Sequence, residues 1–210
     1  MLSDLLYSLK ETEFFFNLFG YISFRSGLSL VTSFFIVIIL MPYWIRFQKS
    51  IFPSGQPIRN DGPDTHYHKK GTPTLGGVLI LFSIIISSIL WTSNFSSFNY
   101  ILILTLTLFG LIGLVDDFQK VKLGKGISSK TKFLSQLLAT IIIYLTIKYN
   151  GFDLNKFSIP FLKDVSIELG YLYFLLILLI VIGSTNATNL TDGLDGLVSM
   201  PLIFVFLTFA

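Results

Sequence analysis

The sequence predicts an all-α integral membrane protein with five full transmembrane helices and the start of a sixth. Three observations predict it. Hydrophobic residues make up 52% of the 210 positions and charged residues 13%, whereas an average soluble domain is roughly 25% charged. Uncharged runs long enough to span a bilayer recur along the chain. The charges that do occur gather in short loops between those runs.

A bilayer core of about 30 Å asks for about 20 apolar residues in a helix. Residues 1–26 do not meet that requirement, and they do not read as a cleavable leader. Asp4 lies where a basic region belongs, and the apolar patch 14–19 is short and carries Asn17. This segment is expected to lie in the interface on the outer side. The remainder, 27–210, reads as one polytopic membrane domain. Its first span is 27–45, with 19 uncharged residues. The run 71–115 has 45 and is broken by the polar patch 92–99, giving two spans at about 74–91 and 100–115. The run 133–147 is only 15 residues, but Lys132 and Lys148 flank it and can snorkel. The run 169–191 has 23 residues. A last run starts at Gly196 and reaches Ala210 without a closing polar flank, so the chain reads as truncated at its C-terminal end.

Lys and Arg set the orientation. The loops at 46–70 and 116–132 hold ten of the fifteen, and the opposite side holds Lys10, Arg25, Lys148, Lys156 and Lys163. The two richer loops therefore face the cytoplasm and the N-terminus faces outward. Cys is absent, which excludes disulfides and thiolate metal sites. The net charge of +3 is dispersed through loops, which argues against a nucleic-acid partner.

This orientation collects three polar motifs at one membrane face. The first is 66–77, His-Tyr-His-Lys-Lys-Gly-Thr-Pro-Thr-Leu-Gly-Gly. The second is 113–120, Gly-Leu-Val-Asp-Asp-Phe-Gln-Lys. The third is 186–196, Asn-Ala-Thr-Asn-Leu-Thr-Asp-Gly-Leu-Asp-Gly. Asp116 and Asp117 close an apolar run, where a carboxylate is costly unless paired, hydrated or metal-bound. Adjacent helical positions project about 100° apart, so one carboxylate is free to approach a metal while the other takes a proton or holds a Lys. A hydrated helix end is the plain alternative. Asp192 and Asp195 are spaced i, i+3, as are Asn186 and Asn189, so each pair shares a face if the segment is helical. Oxygen donors without a soft ligand suit magnesium and phosphate, although the same composition also makes an ordinary turn. Lys69, Lys70 and the run 71–77 supply charge, hydroxyls and approachable backbone for a phosphate, or else form a basic loop against anionic lipid. His66 is a candidate ligand or acid; His68 reads as solvated.

Together these motifs resemble the polyprenyl-phosphate N-acetylhexosamine-1-phosphate transferase superfamily. Within it, the runs 69–77 and 186–197 are similar to the muramoyl-pentapeptide branch, the MraY family, with Leu75 at a position where that family usually has Met. The resemblance runs from about residue 25 onward. It implies a ten-helix fold with a cytoplasm-facing cleft in the bacterial inner membrane. It also implies a reaction: UDP-MurNAc-pentapeptide and undecaprenyl phosphate give lipid I and UMP, the first membrane step of peptidoglycan synthesis. It implies Mg2+ as cofactor. By position, Asp116 and Asp117 match the catalytic aspartates. Lys69, Thr74, Lys120 and Lys132 match polar positions of the substrate cleft, and Asn189, Asp192, Gly193, Leu194 and Asp195 match the segment lining the nucleotide site. Asp116, Asp117 and Asp192 are the candidate metal ligands. A third essential aspartate and a His-rich loop of the family fall beyond residue 210, so the chain by itself is expected to be inactive, and its uncovered apolar faces leave room for a homodimer or an aggregate. Rival readings are a sister enzyme using another UDP-sugar, a cation-coupled transporter and a non-catalytic membrane remnant. The transporter reading asks for inverted repeats and midplane acids, and neither is evident here.

The ten-to-five split of Lys and Arg predicts the labelling pattern of single cysteines. Ser54→Cys should react only with reagent added from the cytoplasm, and Ser158→Cys only with reagent added from outside. Reaction of both from the same side defeats the orientation.

Overall fold

A computed structural model describes residues 1–53, 55, 73–159, 162, 165–192 and 196–209. It is mostly helical, in the order α1 (Leu2–Ser8), two 3-10 segments (Leu9–Glu11 and Phe14–Gly20), α2 (Ile22–Ile51), α3 (Gly76–Trp91), α4 (Ser97–Leu123), α5 (Ser129–Tyr149), a hairpin of β1 (Lys156–Ser158) and β2 (Ser166–Glu168), α6 (Leu172–Thr191) and α7 (Ser199–Phe209). Four helices, α2, α4, α5 and α6, have the length and apolar composition to cross a membrane, and α3 and α7 are shorter apolar helices. The architecture is that of an all-α membrane protein carrying one small antiparallel hairpin.

The helices follow the apolar runs but overrun them. α2 begins at Ile22, inside the stretch expected to be interfacial, and continues past Arg46 and Lys49 to Ile51. Pro42 lies within it; its missing N–H is tolerated in apolar helices whose neighbours supply compensating partners. α3 has 16 residues, roughly 24 Å of rise. α4 has 27 residues, opening on a Ser96/Asn99 capping box and closing on Gly124 at φ 73°, the left-handed cap that glycine adopts without penalty. β1 and β2 pair Lys156 with Glu168 and Ser158 with Ser166. Neither strand has the length to show as alternation in the sequence.

The chain forms two compact units, 1–132 and 133–210. In the first, α2 and α3 pack along their length through polar ties. Trp91 Nε1 donates to Thr32 Oγ1 at 2.9 Å, Ser33 and Ser83 hydroxyls meet at 3.4 Å, and Trp44 Nε1 donates to the Leu75 carbonyl at 2.9 Å. Small residues let helix backbones approach closely, which is how apolar helices associate without a hydrophobic drive. Gly110 does the same between α4 and α3: a Cβ there would overlap Leu81. The N-terminal segment folds against the far end of α3. Phe19 is buried and stacks on Trp91 with centroids 6.0 Å apart, and Ser3 Oγ donates to the Thr92 carbonyl. In the second unit, Tyr144 of α5 meets Phe174 of α6 edge-on at 4.9 Å.

Ser83 is fully buried at the α2–α3 seam. Ser83→Leu should overfill it, at a cost of about 1–3 kcal/mol, and lower the thermal midpoint in detergent, while Ser83→Ala should leave it nearly unchanged. Equal midpoints for the two variants would show that the seam does not hold the unit together.

Candidate active site

The candidate site is built at the C-terminal end of α4. The helix carries its apolar run directly into Asp116, Asp117 and Lys120 before Gly124 stops it. A helix C-terminus carries partial negative charge, so carboxylates there need cations nearby. Lys120 lies one turn on and meets both: its Nζ is 2.7 Å from Asp116 Oδ2 and 2.9 Å from Asp117 Oδ1. The loop 124–128 then turns back over the carboxylate, and the Ile127 N–H donates to Asp116 Oδ1 at 3.0 Å. Ser128 starts α5, its Oγ accepting the Thr131 N–H at 3.1 Å. Lys132, within the first turns of that helix, places its Nζ 3.9 Å from Asp116 Oδ2.

Gly126 makes this closure possible. A Cβ at that position would fall onto Asp116 Oδ1 and 3.2 Å from Lys120 Cε. The loop backbone therefore acts as one wall of the carboxylate pocket. Phe118, on the neighbouring position, packs edge-on against Phe52 at the end of α2 with centroids 5.8 Å apart. This anchors the end of α4 within the first unit.

The two aspartates differ in availability. The Asp116 side chain is 9% exposed and both its oxygens have partners; the Asp117 side chain is 36% exposed and its Oδ1 meets Lys120. Among the described residues Asp117 Oδ2 takes no partner. A hard dication such as magnesium binds through one or two carboxylates together with phosphate oxygens and water, and the exposed Asp117 carboxylate fits that requirement. Among the described residues no group of three His, Cys, Asp or Glu side chains is placed to hold a metal.

The structure thus brings Asp116, Asp117, Lys120 and Lys132 together. Thr74 is half-buried in the irregular stretch before α3. There the Leu75 N–H meets Gln48 Oε1 at 3.3 Å. Asn189 is exposed on α6. Asp192 is also exposed and caps α6, which ends at Thr191; its spacing to Asp195 falls outside the described residues. Lys69, Lys70, His66, His68, Gly193, Leu194 and Asp195 lie outside the described residues.

Two participants escape motif reading, as does a third residue, in the second unit. Gly126 and Ile127 act through backbone, which side-chain chemistry does not announce. Gln136 was visible as the single amide in the run 133–147. It is 1% exposed, and its Oε1 accepts from Asn186 Nδ2 at 2.8 Å. Asn186 Nδ2 also donates to the Ile182 carbonyl at 2.9 Å, so the third motif is tied to α5 within the second unit.

Apolar helices of spanning length, with paired carboxylates and lysines at the end of α4, define a helical membrane protein. The chain belongs to glycosyl transferase family 4, whose sequence profile matches residues 98–210. It is 43% identical over 176 residues to a phospho-N-acetylmuramoyl-pentapeptide-transferase of Desulforapulum autotrophicum, covering 82% of this chain and 48% of the relative. Proteins of the same name from Rickettsia prowazekii and Granulibacter bethesdensis are 39% and 42% identical, each covering 82% of this chain and 49% of the relative. The chain spans about half the length of the curated relatives it matches. These similarities agree with the resemblance carried by the motifs.

The Gln136–Asn186 pair yields a double-mutant test. Asn186→Leu should destabilise the protein by about 1–3 kcal/mol, because it strands the buried Gln136 amide, and Gln136→Leu should cost less, because Asn186 Nδ2 keeps the Ile182 carbonyl. The double variant should cost less than the sum of the two. Strict additivity in detergent unfolding would show that the pair is not coupled.

Proposed function

We propose that this chain carries part of the catalytic cleft of a phospho-N-acetylmuramoyl-pentapeptide transferase. The reaction moves phospho-MurNAc-pentapeptide from UDP-MurNAc-pentapeptide to undecaprenyl phosphate and yields lipid I and UMP. The observation that carries the reading is the Asp116–Asp117–Lys120–Lys132 cluster, present in a chain about 40% identical to proteins of that name. The protein would sit in the bacterial inner membrane with the cluster facing the cytoplasm. Its apolar helices would be five spans and the beginning of a sixth, within a ten-helix fold.

Phosphoryl transfer depends on positioning and charge neutralisation more than on covalent help from the protein. Lys120 and Lys132 are the cations of the cluster, and in the resting arrangement Asp116 holds both. An entering carrier phosphate would compete for these lysines. Their movement toward phosphate would free Asp116 Oδ2 to take the proton of the attacking phosphate oxygen. That oxygen forms the new bond to the phosphorus of the MurNAc phosphate as the bond to UMP breaks. Magnesium, when bound, would neutralise the pyrophosphate and the departing UMP. Asp117 is the proposed ligand among the described residues, with Asp192 a further candidate. Thr74 and Lys69 would contribute to the substrate cleft. Asn189, Asp192, Gly193, Leu194 and Asp195 would line the nucleotide site.

UMP release is the direct test. It is measured with UDP-MurNAc-pentapeptide, undecaprenyl phosphate and magnesium, on the chain alone and on a hybrid completed with the remaining part of the Desulforapulum relative. The hybrid should turn over, and Asp116→Asn or Asp117→Asn should each lower its rate by about 10²–10³ without loss of membrane insertion. A hybrid that uses UDP-GlcNAc instead of UDP-MurNAc-pentapeptide overturns the substrate assignment. Near-normal rates in both Asn variants return the pair to a hydrated helix end.

A further inference from the structure

A cavity of about 540 Å³ opens in the first unit, between the N-terminal half of α2 and the C-terminal end of α3. It is separate from the Asp116 cluster. Ser33 is its lining residue nearest Gln48 along α2, and the 15 positions between them amount to roughly 22 Å of helix rise. Its lining is polar for a surface on apolar helices: Arg25, Ser29, Ser88, Ser93 and Asn99 all reach it, beside Trp91. Asn99 Oδ1 is taken by Ser96, which leaves the amide N–H groups of Asn99 as its free capacity.

Arg25 sets the chemistry. Its Nε is buried and has no hydrogen-bond partner among the described residues. A guanidinium is always charged and offers a planar fork of donors that matches phosphate. A buried N–H without an acceptor is costly, and in Arg25 that N–H is the Nε of a charged group. Asp4 makes no hydrogen bond to it among the described residues. The Asp4 carboxylate accepts the N-terminal ammonium, which is the main reason its carboxyl lies below its usual range, and Ser93 and the charge of Arg25 add to that. The charge therefore faces a cavity with hydroxyl and amide donors and no carboxylate in its lining.

Depth indicates what fills it. The cavity lies where α2 begins and α3 ends, with Trp91 on its wall and Tyr21 at the start of α2. Aromatic residues at helix ends mark the headgroup level of a bilayer. Phosphate is the anion concentrated at that depth. We propose that the Arg25 cavity binds the phosphate of an anionic phospholipid headgroup, with the guanidinium on the phosphate oxygens and the serine and asparagine donors around it. This site is independent of the transferase reading, because it requires only that α2 and α3 meet a bilayer.

The test uses the full chain in phosphatidylcholine nanodiscs with and without phosphatidylglycerol, and native mass spectrometry of the lipid retained after detergent extraction. The wild type should retain phosphatidylglycerol in preference to phosphatidylcholine. Arg25→Gln should lower that retention by about tenfold, the loss expected for one charge-assisted contact. Arg25→Lys should fall between them, keeping the charge without the fork. Ser88→Leu, which fills the cavity without touching the charge, should also lose the lipid and decides the matter if Arg25→Gln does not fold. Wild-type retention in either Arg25→Gln or Ser88→Leu overturns the proposal. Inorganic phosphate in lipid-free detergent provides the second arm. Thermal stabilisation by phosphate that equals the effect of phosphatidylglycerol would assign the site to a free anion and overturn the lipid assignment; no stabilisation supports it.

Discussion

A polar group beside hydrocarbon has no water to turn to, so it must find its partner inside the protein. That constraint organises this chain more than any apolar contact does. Lipid tails are as apolar as leucine, so burying one leucine against another gives little drive for two spans to associate. The contacts that fix α3 on α2 are accordingly indole, hydroxyl, amide and backbone groups: Trp91 with Thr32, Ser33 with Ser83, Trp44 and Gln48 with Leu75. Leu75 shows the rule most directly. It belongs to the non-helical entry to α3, and its N–H and carbonyl are both taken by α2 side chains.

The same rule acts at Asp116 with higher stakes, because the group is charged. Removing one member of a buried ion pair typically costs about 3–5 kcal/mol, since the other charge stays behind unpaired. Asp116 is guarded against that outcome by two close donors, Lys120 of α4 and the Ile127 N–H of the 124–128 loop, and by the more distant ammonium of Lys132 from α5. The arrangement also stores positive charge. Two ammonium groups are held a few ångströms apart only because a carboxylate sits between them, and a phosphate presents the same chemistry with more charge. Under the proposed function, an entering phosphate would take over the lysines that Asp116 holds.

What the sequence made legible follows from how each signal is written. Uncharged runs located the apolar helices, since span length and charge exclusion are direct consequences of the bilayer. Their ends were less legible. Helix α2 overruns its uncharged run at both ends because long Lys and Arg side chains let a helix continue beyond hydrocarbon, so Arg46 and Lys49 do not mark its stop. Asp116 and Asp117 could be named from type and place, Lys120 and Lys132 only through the family resemblance, and the structure brings these four together. Gly126 and Ile127 could not, because one acts by lacking a Cβ and the other by a backbone N–H. The β1–β2 hairpin was invisible for a different reason: three-residue strands are too short to show alternation.

Unpartnered donors complete the physical picture, and they are not equivalent. Gln48 Nε2 and Gln136 Nε2 also lack partners among the described residues. Both belong to neutral amides whose oxygens are engaged, by the Leu75 N–H and by Asn186. Each is a stranded N–H on a group that otherwise does its structural work, at a cost of about 1–3 kcal/mol. Both residues are packed, at 4% and 1% exposure. Arg25 differs in kind. Its charge cannot be relieved by losing a proton, its guanidinium reaches a cavity instead of packed side chains, and the other polar groups lining that cavity are hydroxyls and an amide. A neutral orphan in a packed seam is tolerated as a local cost of specificity. Arg25 carries its unpartnered N–H on a charged group that opens onto a cavity, and the proposed lipid phosphate would supply the acceptor.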